Sequence, residues 1–177
     1  HAIKRFEEVE TILQPVLTKL KIGQGDFEQN VYGVDFKGTI RKAVPIQGLA
    51  GVDASFIENM TYIDTENEAQ ILPVLTELKK ATLVLENEFI NKYQTLQQVY
   101  DAVQEMTPKE RGEFISMPGP IRNLVIEALC NPSADLDTKF ERTIADSKDA
   151  EKRHPDVFKN YDKAASELQK YFKSRKA

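Results

Sequence analysis

Hydrophobic positions recur at steps of three and four along most of this 177-residue chain. That spacing puts apolar side chains on one face of a helix. Over residues 2–21 the face is Ile3, Phe6, Val9, Leu13, Val16, Leu17 and Leu20. Pro15 lies inside it, and a proline there removes an N–H and crowds the preceding turn, so a kink or restart is expected. The longest periodic stretch carries Ile71, Leu75, Leu78, Leu85, Phe89, Tyr93, Leu96, Tyr100 and Val103, and predicts one long helix over about 66–106. Thr65-x-x-Glu68 has the form of a capping box at its start.

Shorter helical units follow. Thr107-Pro108-Lys109-Glu110 is a second capping box, with proline at the favoured first position. Ile121, Leu124, Val125, Ala128 and Leu129 mark a compact apolar helix ending near Cys130. Leu136, Phe140 and Ile144 give a polar helix a weaker face over 134–152, and His154-Pro155 interrupts the chain before a last amphipathic helix.

Residues 22–52 break the pattern. They hold six of the eight glycines, with Phe27, Val31, Tyr32, Val34 and Phe36 between them. Glycine adds backbone freedom that helices do not favour, so this is read as a long glycine- and aromatic-rich loop, with a short extended pair near Gly33 and a helical turn over 39–44. The fold expected is all-α: an irregular bundle of five to seven helices around the 66–106 helix, in a single helical domain spanning 1–177.

Pro15-Val16-Leu17-Thr18-Lys19-Leu20-Lys21 differs from Pro73-Val74-Leu75-Thr76-Glu77-Leu78-Lys79 at one position. Amphipathic helices draw on few residue types, so convergence is the preferred reading; a duplication would give the two segments equivalent places in the bundle.

Composition removes several functions. Net charge is −4, which provides no basic field for nucleic acid, although residues 1–106 carry −6 and 107–177 carry +2. No apolar run reaches the roughly 18 residues of a transmembrane helix. One cysteine and two histidines, one of them His1, leave no zinc set, no di-iron Glu-x-x-His pair and no supported nucleophile–histidine couple. Gly23-Gln24-Gly25-Asp26 lacks the third glycine of a dinucleotide loop. No catalytic residue, metal ligand or cofactor is therefore assigned, and the protein is read as non-enzymatic.

The reading that remains is a helical interaction protein. It would recognise a protein partner through a bundle face or through the 22–52 loop, where Phe27, Tyr32 and Phe36 are the candidate contacts. The alternative is a secreted helical carrier of a hydrophobic small molecule of the fatty-acid or retinoid type. In its single cysteine, absent tryptophan and proline-separated amphipathic helices the chain resembles small secreted carriers of that kind, in style and not in diagnostic residues. Asn59-Met60-Thr61 is a glycosylation sequon, which inclines the compartment toward secreted, with cytoplasmic as the alternative.

Overall fold

The computed structural model describes residues 2–23, 38–42, 51–53, 68–132 and 135–176. The chain divides into two compact units: residues 1–2 with 42–94, and residues 3–41 with 95–177. Among the described residues the fold is all-α, with seven helices of seven residues or more and one small sheet, as the periodicity predicted.

The larger unit begins at Ile3 within β1 (Ala2–Lys4) and continues with α1 (Glu7–Lys19). The expected start of this helix at residue 2 is thus a strand. β1 pairs with β2 (Ile40–Lys42), which replaces the helical turn expected over 39–44. Three-residue strands lie below the length at which alternation is legible. A β-carbon at Gly38 would collide with the Ile3 side chain, so glycine is what lets the strands approach. α1 opens with Glu7, Glu8 and Glu10 against the positive end of its dipole. It runs through Pro15 without a restart. Burial of Val9, Leu13 and Leu17 on either side of the proline holds the helix together despite the lost hydrogen bond.

α3 (Leu96–Glu105) and α4 (Pro108–Phe114) both start with complete capping boxes, Thr95 with Gln98 and Thr107 with Glu110. Hydrogen bonds from the side chain and backbone of Thr107 hold the Glu110 carboxyl below its usual range. α5 (Gly119–Cys130) buries Ile121, Leu124, Val125, Ile126 and Ala128. α6 (Leu136–Arg153), the single turn α7 (Pro155–Phe158) and α8 (Tyr161–Lys176) complete the unit. α5 packs against α1, α3, α6 and α8, and is the helix around which this unit is organised.

The smaller unit contains α2 (Glu68–Leu85), which passes into a π-helical turn over Glu86–Ile90. The expected single helix over 66–106 is therefore broken. The chain leaves the helix after Ile90, and Thr95 restarts it by accepting from the Gln98 N–H at 3.3 Å. Hydrophobic periodicity continued across residues 91–95 because Tyr93 (8% exposed) is apolar and in register, although it lies between helices. Glu77 ties residue 53 to α2 by accepting the Asp53 N–H at 2.8 Å. Lys80 and that N–H together hold the Glu77 carboxyl below its ordinary value.

Candidate functional site

Three features of the described residues bear on function. The first is a charged centre inside the larger unit. Glu10 on α1 and Arg122 on α5 are both fully buried. Arg122 donates from Nε to Glu10 Oε1 at 3.0 Å and from a terminal nitrogen to Oε2 at 3.1 Å. Thr39 Oγ donates to the same carboxylate at 2.7 Å, Gln14 donates to it at 2.8 Å, and Thr39 Oγ also accepts the Phe6 N–H at 2.9 Å. The remaining guanidinium nitrogen donates to the carbonyls of Ser116 and Met117. A buried ion pair survives only when its polar atoms are satisfied in this way. Tyr161 is also buried, and its hydroxyl finds no partner among the described residues. Burial pushes its pKa up to about 12, against an opposing pull from Arg122. With no solvent reaching either charge, this centre ties α1, α5 and Thr39, the residue before β2, together.

The second feature is a cleft of about 580 Å³ in the same unit, open on one side, between α3, α4, α5 and α6. Its walls mix the apolar residues Ile115 and Leu124 with Arg111, Lys139 and Arg142, and with the acids Glu127 and Asp146. Lys139 pairs with Glu127, and Arg142 with Asp146 at 3.7 Å. Arg111 spends one terminal nitrogen on the Met106 carbonyl at 3.2 Å, while its solvent-shielded Nε–H has no acceptor among the described residues. Gly112 and Gly119 border the cleft at positions where a β-carbon would meet open space.

The third feature is the face of α2 in the smaller unit. Leu72, Leu75, Leu78 and Leu83 are 52%, 54%, 38% and 48% exposed. At 3.6 residues per turn they sweep an arc of about 140°, with Glu68, Lys79 and Thr82 set among them. Isolated exposed leucines are ordinary, but a contiguous set on one helix is characteristic of an interaction surface.

Comparison with protein-family models, curated proteins and solved structures gives no match.

The sequence-derived candidates Phe27, Tyr32 and Phe36 and the sequon residue Asn59 lie outside the described residues. So does most of the 22–52 loop. Among the described residues no cluster of histidine, cysteine, aspartate and glutamate has the makings of a metal site, and no helix is long and apolar enough to cross a membrane. Cys130 is half-buried, and burial, reinforced by the charges of Asp101 and Glu8, pushes its thiol to about 11. A thiol held neutral in this way is a poor nucleophile. His154 ends α6 and lies beside Phe158, with ring centroids 6.3 Å apart and the rings tilted at 48°.

Sequence reasoning missed the Glu10–Arg122 centre, although a signal was present. Both charges sit in apolar registers, Glu10 between Phe6 and Leu13, Arg122 between Ile121 and Val125. What periodicity does not reveal is that two such residues, 112 positions apart, face each other.

Proposed function

We propose that this protein is a non-catalytic interaction module that docks an amphipathic helix of a protein partner on the exposed face of α2. The supporting observation is the set Leu72, Leu75, Leu78 and Leu83, left substantially open to solvent on one helix. The chain itself indicates what suits such a face. The matching segment of α1 presents Leu17 at the same place in its heptapeptide; Leu17 is buried, and α1 as a whole packs on the helices α5 and α8. An apolar-faced helix is a recurrent occupant of such surfaces, anchored at the spacings that these leucines provide.

Site-specific photocrosslinking in the natural source tests this reading. A benzophenone amino acid placed at Leu75 is expected to capture one discrete protein, and one at the exposed Asp156 of α7 is not. The adduct should survive combined alanine replacement of Phe27, Tyr32 and Phe36. Loss of the adduct in that variant would move recognition to the 22–52 loop. A lipid adduct at Leu75, or a co-purifying lipid mass, would put the carrier reading first. No protein adduct at Leu75 ends the proposal.

A further inference from the structure

We infer that the cleft between α3, α4, α5 and α6 is a second recognition site, for an acidic peptide segment whose carboxylate is taken by Arg111. The proposal concerns the larger unit alone and does not depend on the α2 face.

The argument starts from charge. Of the three cations on the cleft wall, Lys139 and Arg142 are each matched by an acid on the same wall, Glu127 and Asp146. Arg111 forms no ion pair among the described residues. Its Nε–H is shielded from solvent and unmatched, which is costly for a donor on a charged group. A carboxylate entering the cleft would neutralise the unpaired charge of Arg111 through a charge-assisted hydrogen bond to its guanidinium.

The shape narrows the ligand further. A volume of about 580 Å³ holds a few side chains, and the cleft is open on one side, which suits a segment of chain laid across it. Gln104, Asn123 and Thr143 on the walls offer both donors and acceptors, which suits a peptide backbone. Ile115 and Leu124 provide the apolar contact for a neighbouring side chain. Gly112 and Gly119 leave the cleft wide at two points where any larger residue would narrow it.

The experiment uses the full chain and a pool of capped tetrapeptides with glutamate fixed at one position, against the same pool with glutamine. The Arg111 Nε–H resonance is followed by NMR, and affinity by titration. The glutamate pool is expected to move that resonance and to bind at least about tenfold more tightly than the glutamine pool. Arg111→Gln should abolish the preference, whereas Arg142→Gln, on the exposed rim, should retain it. Gly112→Leu, which fills the cleft without altering charge, should weaken the glutamate pool, and it decides the matter should Arg111→Gln lose its helical circular dichroism. Equal binding of the two pools, an Arg111 signal that stays fixed at millimolar peptide, or a preference retained in both variants overturns the proposal. So does inorganic phosphate that moves the Arg111 signal where the glutamate pool does not, since that would make the cleft a phosphate site.

Discussion

Leu17 and Leu75 occupy the same place in two heptapeptides that differ at one position, yet Leu17 is 2% exposed and Leu75 is 54% exposed. Nearly the same sequence therefore makes a core-facing stripe in α1 and an open one in α2. The difference lies outside the heptapeptides, in what packs on them. The two segments therefore do not share the same environment. Leu17→Ala should cost about 2–5 kcal/mol, the range for truncating a packed leucine. Leu75→Ala should change stability by less than about 0.5 kcal/mol, as an open surface position does. Urea unfolding of the two variants checks this directly. Equal losses would mean that Leu75 is covered in solution.

A second prediction concerns the buried charges. Removing either member of the Glu10–Arg122 pair strands the other in a site without water. Glu10→Leu and Arg122→Met should each destabilise by about 3–5 kcal/mol. The double variant should lose much less than the two single losses combined, because neither charge remains. A double-mutant cycle in denaturant measures the coupling. Additive losses would show that the two side chains act separately, against the geometry of two hydrogen bonds near 3 Å.

Much of the architecture is legible from apolar spacing alone. The all-α class, the end of α5 at Cys130, the break at His154-Pro155 and the Thr107 capping box follow from local rules, because each depends on residues within one or two turns. The break at 91–95 was less visible. Its signal, Thr95 followed by Gln98, was present, but Tyr93 and Leu96 kept the hydrophobic period going across it. The strands Ala2–Lys4 and Ile40–Lys42 depend on long-range pairing and on the space at Gly38, and no local pattern encodes them. The unmatched Arg111 was illegible for a related reason. Being unpaired is a property of the surrounding helices, not of residue 111.

The cap at Thr95 yields a third prediction. Its side chain accepts from the Gln98 N–H, and the Gln98 side chain returns a bond by accepting the Thr95 N–H at 3.0 Å. Thr95→Ala should cost about 1 kcal/mol, the usual value of such a cap. The loss should be local first, so amide exchange at Gln98 should accelerate before exchange at the fully buried Val103. Unchanged exchange at Gln98 would show that packing of Leu96 and Val99, not the cap, fixes the start of α3.

Cys130 provides the fourth, and its sign can be worked out. Its thiol sits at about 11, above the ordinary 9.0, chiefly because burial disfavours the thiolate. At pH 8 the folded protein then carries roughly 0.1% thiolate, and a disulfide reagent should label it about a hundredfold more slowly than the urea-unfolded chain. The same shift links to stability. A folded-state pKa above the unfolded value means that the folded protein holds its proton more tightly. Its contribution is present in full below about pH 9 and is lost as pH rises toward 11. Tyr161, raised to about 12, adds a loss of the same sign at still higher pH. The urea midpoint of the wild type should therefore fall between pH 8 and pH 10.5 by more than that of Cys130→Ala. Equal falls, or equally fast labelling of folded and unfolded protein at pH 8, would place the thiol in solvent, and the packing of the C-terminal end of α5 would have to be redrawn.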